Sequence, residues 1–251
     1  DYVDAYNNMG NALEDKGDLE AAIESYKQAL KINPDYAEAK ADLVKLLTTY
    51  IPIKENQNLI VTVNEEIRKI DIIDNTSKII SDNQVVNLFS KSKDCINEFG
   101  LELETELSQT FRRNSFNFNC DRHLSIFDKH DIIPEFCFGC YKVQVEPRSI
   151  IELIKLFIVF DQLELNENNT RKCMVELRPE ISGFYKGLIY CSGLKQANQI
   201  AEHLDIIIKK SIWPGLSSKV KRGCSEYPIS YPNYKEINHS GPQLMNYNEE
   251  F

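Results

Sequence analysis

The chain contains a pattern that recurs after 34 residues, and this recurrence constrains its fold more than any other feature. The motif Asp-Tyr-x-x-Ala begins at residue 1 and begins again at residue 35. Self-similarity at a fixed period is typical of solenoid proteins, in which each repeat is one supersecondary unit. A period of this length predicts a helical hairpin in each repeat.

Between the two copies, apolar and small residues fall at helical spacing on two successive segments. Gly17 and Asp18 predict a turn between the segments, and Pro34 ends the second one. The residues on the first segment are Tyr6, Met9, Gly10 and Leu13, and those on the second are Ala22, Tyr26 and Ala29. This pattern resembles the tetratricopeptide repeat (TPR) at nearly every diagnostic position.

The resemblance implies two antiparallel helices in close contact at Gly10 and Ala22, with Tyr26 packed beside them. It also implies a third helix that begins near Tyr36. The second copy departs from the pattern, since Val44 stands where the first copy has Gly10. We therefore interpret the third helix as a terminal capping helix of a solenoid fragment.

The resemblance covers residues 1–50 and implies a concave surface that holds a peptide or a partner protein. The partner-binding residues that it implies are Tyr6, Asn7, Asn11 and Lys40. The sequence therefore predicts protein binding as part of the function.

Residues 51–118 form a connecting segment whose pattern is mostly helical. A helix is predicted over 83–98, with Gly100 as its stop. The apolar run 59–63 fits either a strand or a turn of helix, because periodicity cannot distinguish the two over so few residues. This segment carries no functional motif.

Residues 119–251 form a predicted α+β domain that contains cysteines and histidine and ends in a tail. The predicted elements are a strand at 141–146, a helix that follows Ser149 and reaches residue 160, strands at 172–178 and 184–191, a helix over 194–208 and a strand at 219–226. The order strand, helix, strand, strand, helix, strand is that of ferredoxin-like domains. The expected fold class is therefore α+β, a TPR helical hairpin followed by a ferredoxin-like domain.

This topology makes two further predictions about the sheet. The first and last strands are antiparallel neighbours, so Cys224 is expected near Cys140. Both helices cover one face, and the alternation of the first strand places Lys142 and Gln144 on the other face. The topology leaves that second face for a partner, for the connecting segment or for solvent, and of these we expect solvent.

Cysteine and histidine form two close pairs just before the first strand of this domain. Cys120-Asp-Arg-His123 is followed, after thirteen residues, by Cys137-Phe-Gly-Cys140. Two short ligand pairs separated by a loop can bring four donors to a tetrahedral zinc ion. Cys224 is a fifth candidate, which would replace His123 or complete an all-thiolate set. The alternatives are an iron–sulfur cluster, a thiol redox centre, or cysteines that are simply buried.

Charge and composition exclude several classes of protein. The formal net charge of −9 argues against a surface built to neutralise nucleic acid or to lie on an anionic membrane. No apolar run approaches the roughly 18 residues of a membrane-spanning helix. Seven cysteines, an odd number in a chain able to form a good core, indicate reduced thiols. We therefore expect a cytoplasmic protein.

These observations favour a non-enzymatic adaptor whose TPR segment captures a protein partner and whose α+β domain is stabilised by zinc. The main alternative is a metal- or thiol-dependent enzyme with its site around His123, Cys137, Cys140 and Cys224, acting on a protein recruited by the repeats. Phosphate-binding loops, nucleophile elbows and zinc-protease motifs are absent from the sequence. A weaker alternative is a nucleic-acid-binding module on the open sheet face, which the lack of paired aromatic residues on the strands disfavours.

Overall fold

The computed structural model of the protein describes residues 2–55, 57–70, 79–103, 108–113 and 118–234. The chain divides into two compact units, residues 1–115 and residues 116–251. The first unit is mostly helical. The second combines helices with an antiparallel sheet.

Three helices of the first unit begin next to a capping side chain. Asp18 accepts a hydrogen bond from the backbone N–H of Ala21, and Ser81 forms a reciprocal capping box with Gln84. The elements are α1 (Tyr2–Lys16), α2 (Leu19–Ile32), α3 (Ala37–Leu47), α4 (Leu59–Arg68), α5 (Asp82–Glu98) and the short strand β1 (Gln109–Arg112). The apolar run at 59–63, which the sequence left open, is therefore helical.

The hairpin of α1 and α2 packs as the repeat pattern predicts, except that the side chain nearest to Gly10 is Tyr26 rather than Ala22. A Cβ atom on Gly10 would lie 2.3 Å from Cε1 of Tyr26, so the tyrosine ring occupies the space that a side chain would need. Tyr26 and Ala22 are both fully buried. Gly10 is therefore required by the Tyr26 ring.

The core of the first unit extends beyond the hairpin. Buried side chains of α1, α2 and α3 form one cluster with side chains from the connecting segment. The residues contributed by that segment are Ile60, Val61, Val63 and Leu101. Helix α4 thus buries its apolar face in the same core as the repeat.

In the described part of the second unit, four strands pair in antiparallel fashion. The elements are α6 (Cys120–His130), α7 (Glu135–Gly139), β2 (Tyr141–Val145), α8 (Ile150–Gln162), β3 (Arg171–Val175), β4 (Tyr185–Cys191), α9 (Leu194–Ser211), β5 (Ser218–Arg222) and α10 (Glu226–Ser230). The order of these strands across the sheet is β3, β4, β2, β5. The first and last of them are neighbours, as predicted, with Tyr141 opposite Arg222 and Val145 opposite Ser218.

The last strand is shorter than the sequence suggested. The predicted strand at 219–226 ends at Arg222, because Gly223 has a φ of +62° and leaves the extended conformation. Helix α10 then begins at Glu226. Cys224 consequently lies in the turn between β5 and α10.

Helices α8 and α9 pack against each other and against the sheet, so they form one layer. The side chain of Ser149 caps α8 by accepting a hydrogen bond from the backbone of Glu152. At the other end of α8, the fully buried Arg171 donates from Nη1 to the carbonyl oxygens of Phe160, at 2.9 Å, and Leu163, at 2.6 Å. A strand residue thus satisfies the last carbonyls of the helix.

The second face of the sheet differs from the solvated surface that the sequence predicted. Lys142 is only 6% exposed and Gln144 only 4%. Lys186, on the neighbouring strand β4, is also buried and forms an ion pair with Glu176 at 3.0 Å. The expectation of a solvated face was therefore wrong, and polar side chains line a covered region of the unit.

Candidate functional site

The repeat presents one candidate surface, formed by α1 and α3. Asn7 on α1 donates from Nδ2 to Oδ2 of Asp42 on α3, at 3.1 Å. The hydroxyl of Tyr36 donates to Oδ1 of Asp4 on α1, at 2.7 Å. Two polar contacts thus connect α1, which carries three of the predicted partner-binding residues, with α3 and with the residue that precedes it.

The four predicted partner-binding residues have different surroundings. Tyr6 is half-buried, and Asn11 is exposed but accepts a hydrogen bond from Tyr26 Oη at 2.7 Å. Nζ of Lys40 lies 3.5 Å from Oδ1 of Asp35. Asn7 is only 6% exposed, and within the described residues its Oδ1 accepts no hydrogen bond. Asn7 therefore offers a buried acceptor rather than a freely exposed amide.

The α1 and α3 surface is acidic. The hydrogen bond to Asp4 raises the pKa of Tyr36 to about 12, with smaller contributions from burial and from the negative charges of Glu38 and Asp42. Residues 1–50 carry ten acidic and five basic side chains. A positively charged ligand would therefore be attracted to this surface.

The second candidate site lies in the other unit, where two cysteines lie near the ends of paired strands and two more lie in the short helices before β2. Cys120 is the first residue of α6, Cys137 lies in α7, and Cys140 directly precedes β2. The backbone N–H of Gly223 donates to the carbonyl oxygen of Cys140 at 2.7 Å. This contact brings Cys224 to the start of β2, as the predicted strand pairing requires.

A buried lysine lies among these thiols. Nζ of Lys142 donates to Sγ of Cys224 at 3.6 Å and lies 5.0 Å from the ring centroid of Tyr190. In the part of the chain that the structure describes, no carboxylate forms an ion pair with Lys142. The charge of this ammonium is therefore faced by sulfur and by an aromatic ring.

The electrostatics connect all four cysteines with one another. Burial raises the pKa of Cys140, Lys142 lowers it, and Cys224 and Cys120 raise it further. Burial raises the pKa of Cys137 to about 12, against the effect of its hydrogen bond from Tyr227, and the other three thiols add to the rise.

Lys142 responds to the same thiols. Burial alone would lower its pKa, but Tyr190, Cys224, Cys140 and Cys120 raise it, and the net direction is upward. The lysine and the thiols therefore favour each other's charged forms. A positive charge at this position stabilises negative charge on sulfur.

His123 packs on an aromatic ring. Its ring centroid is 5.4 Å from that of Phe136. Burial and the positive charge of Arg122 lower the pKa of the imidazole.

Cys137 occupies an aromatic cluster. The hydroxyl of Tyr227 donates to its Sγ at 3.3 Å, and the hydroxyl of Tyr234 donates to its carbonyl oxygen at 2.9 Å. Both tyrosines are fully buried. The segment that follows β5 therefore covers Cys137.

Among the described residues, no three side chains of Cys, His, Asp or Glu form a group that could hold a metal ion. Convergence of the ligands on one point stays a prediction.

The remaining cysteines pack as the sequence indicates. Cys173 and Cys191 are buried, and Cys95 packs against the core of the first unit.

Sequence reasoning missed Lys142 as a site residue. Alternation placed it on a solvated face, although it lies only two positions after Cys140. Two further lysines, Lys172 and Lys221, have pKa values lowered to about 8 by burial and by the charge of Lys142. Each of these three lysines lies on a different strand, close in sequence to a cysteine. That recurrence was the signal from which a site containing lysine could have been predicted.

Comparison with known proteins decides the nature of the first 36 residues. The tetratricopeptide repeat family model matches residues 3–36. This confirms the TPR assignment, and the match leaves the rest of the chain unassigned. No curated protein and no solved structure matches the chain.

The matched TPR segment contains α1 and α2 and ends at Tyr36, just before α3. The contacts of Tyr26 with Gly10 and of Tyr36 with Asp4 thus lie within the repeat.

None of the helices in the described ranges has the length and apolar character needed to cross a bilayer.

Proposed function

We propose that the protein is a non-enzymatic adaptor that binds another polypeptide through the surface formed by α1 and α3. The observation that supports this most strongly is the TPR match at residues 3–36, because helical repeats of this kind present extended surfaces to partners. The α+β unit would supply a second binding surface.

The chemistry of the α1 and α3 surface suggests what it binds. Asp4, Glu38 and Asp42 give it negative charge. The proposed partner is therefore a basic peptide segment that provides ammonium or guanidinium groups to these carboxylates.

The charge preference can be tested by selecting peptides from a random displayed library on the immobilised chain. Selected peptides should carry net positive charge, and their affinity, measured by fluorescence anisotropy, should fall as salt rises. Replacing both Glu38 and Asp42 by their amides should weaken binding by about fivefold, the size expected for two exposed ion pairs.

Asp128→Asn provides the matched control, because Asp128 is an exposed carboxylate in the second unit. Its substitution should leave peptide affinity unchanged. Enrichment of acidic peptides would contradict the charge assignment. A selection in which no enriched peptide depends on α1 or α3 would contradict the adaptor function.

For the second unit we propose a ferredoxin-like arrangement that a thiolate-bound metal, zinc, stabilises. The strand order β3, β4, β2, β5 and the single helix layer support the arrangement. The gathering of cysteines near Lys142 supports the metal. Seven free cysteines also support a reducing compartment such as the cytoplasm.

A further inference from the structure

We infer that the proposed metal site is an all-thiolate centre and that a buried lysine balances its charge. The four ligands are Cys120, Cys137, Cys140 and Cys224, and the lysine is Lys142. This inference rests on the proposed metal stabilisation and specifies its ligands. It leaves His123 outside the site.

The strand register explains how distant cysteines come together. Tyr141 lies opposite Arg222, so the residues just outside this pair, Cys140 and Gly223, meet at the same end of two neighbouring strands. The hydrogen bond of 2.7 Å between them confirms the approach. Cys224 follows Gly223 directly. Two ligands therefore come from the ends of paired strands, which are rigid supports.

The other two ligands come from the short helices that precede β2. Cys137 is three residues before Cys140, a spacing typical of one half of a structural zinc site. Cys120 is the first residue of α6, and electrostatic interactions couple it to both Cys140 and Cys224. All four thiols thus lie in one neighbourhood of the second unit.

Lys142 is a buried amine that contacts one of the proposed ligands. A buried ammonium is costly unless an anion faces it. On the same sheet, Lys186 is paired with the carboxylate of Glu176. Lys142 instead contacts Sγ of Cys224, and a neutral thiol cannot balance its charge. A divalent zinc ion with four thiolate ligands carries two net negative charges, which supplies the missing anion.

Two existing contacts suit metal-bound sulfur. The Tyr227 hydroxyl donates to Sγ of Cys137, and Nζ of Lys142 donates to Sγ of Cys224. Donors to ligand atoms orient the ligands and tune the metal. Both groups therefore act as positioning residues for thiolates, which are stronger acceptors than neutral thiols.

Among the described residues, no hydrogen bond joins His123 to any of the four thiols. Its ring packs on Phe136, and its neighbouring charge is the cation of Arg122. A histidine ligand normally donates its second ring nitrogen to an oxygen acceptor. Among the described residues no acceptor of this kind is hydrogen-bonded to His123.

The ligand set can be tested on the full chain, purified under reducing conditions and analysed by elemental mass spectrometry. Wild type, His123→Asn and Cys95→Ser should each contain one zinc ion per chain. Cys224→Ser should contain none. After exchange with cobalt, the charge-transfer absorption of wild type and His123→Asn should coincide, since both keep four cobalt–sulfur bonds.

If Cys224→Ser fails to fold, thiol labelling of the native wild-type chain keeps the inference falsifiable. Four thiols should be protected by zinc and become reactive when a chelator removes it. The role of Lys142 is tested with Lys142→Met. Zinc affinity, measured by chelator competition, should fall by about 10–100-fold, whereas the metal-free variant should be no less stable than metal-free wild type. Lys142→Arg should restore most of the affinity.

The outcomes separate this inference from the proposal beneath it. Loss of metal from His123→Asn with retention by Cys224→Ser would overturn the all-thiolate ligand set and leave the proposed metal intact. Iron with the same dependence on four cysteines would keep the ligand set and correct the metal. A wild-type chain that contains no metal and takes up no cobalt would overturn both. Unchanged zinc affinity in Lys142→Met would overturn the counter-charge role.

Discussion

Replacement of Gly10 by alanine should destabilise the TPR hairpin, although alanine is the better helix former. The added Cβ would lie 2.3 Å from Cε1 of Tyr26, whereas carbon atoms in contact lie about 3.5–4.0 Å apart. The ring would have to move by about 1 Å or more. Tyr26 is fully buried, so it has no free space to enter.

The magnitude follows from three contributions. Overpacking of a buried side chain costs about 1–3 kcal/mol. Displacement of the ring would also weaken the hydrogen bonding of its hydroxyl with Asn11 and Glu14, at 2.7 Å and 3.0 Å, which is worth about 1 kcal/mol. Alanine returns about 1 kcal/mol of helix propensity. The free energy of unfolding should therefore fall by about 2 kcal/mol.

Urea unfolding followed by far-ultraviolet circular dichroism measures this change. Asn8→Ala is the matched control, because Asn8 is exposed on the same helix and its substitution should be neutral or slightly stabilising. The variant Gly10→Ala/Tyr26→Leu removes the clash, so the two substitutions should cost less together than the sum of their separate effects. A Gly10→Ala chain as stable as wild type would refute the packing explanation.

Two predictions concern the second unit, and Trp213, the single tryptophan of the chain, reports on both. Arg171→Met should lower the free energy of unfolding of the second unit, measured in urea, by about 3 kcal/mol, because the last carbonyls of α8 lose a buried cationic donor. Arg122→Met, a substitution at an exposed position, should change this free energy by no more than about 0.5 kcal/mol. Glu176 accepts hydrogen bonds from Arg178 and from Lys186, and these outweigh the effect of burial. They lower the pKa of the Glu176 carboxyl from 4.5 to about 2. The resulting stabilisation, about 3 kcal/mol, should be present above pH 4.5 and lost as the pH falls toward 2, and Glu176→Gln should flatten this pH dependence.

The TPR hairpin could be predicted from sequence because its determinants are local. Gly10 and Tyr26 lie within one repeat, and their spacing alone identifies facing positions on two helices. The pairing of the first and last strands of the second unit was predictable for a similar reason. The order of elements leaves few topologies, and one of them places residue 141 beside residue 222.

The burial of Lys142 and Gln144 could not be predicted from the same pattern. Alternation shows which residues share a face of a strand, but it does not show what lies over that face. A polar face is solvated in a two-layer domain and buried when another segment covers it. The sequence pattern is identical in the two cases.

Spacing along the chain was also insufficient to choose between His123 and Cys224 as the fourth ligand of the proposed metal site. His123 is three residues from Cys120, whereas Cys224 is separated from Cys140 by most of the second unit. The predicted pairing of the first and last strands placed Cys224 near Cys140, and the register of β2 and β5 confirms that pairing. The end of β5 was misjudged because the positive φ of Gly223 depends on the turn that it enters.

Strand β5 has a consequence for the behaviour of the protein at high concentration. It lies at one end of the described sheet and consists of Ser-Lys-Val-Lys-Arg, so three of its five residues are cationic. An end strand exposes backbone groups that could pair with a strand of another molecule, and repeated lysines are a common means of preventing such pairing. The short length of β5 and the exposed Lys219 on it therefore disfavour pairing of this edge with a strand of another molecule, and so disfavour fibrous aggregation that uses this sheet as a template.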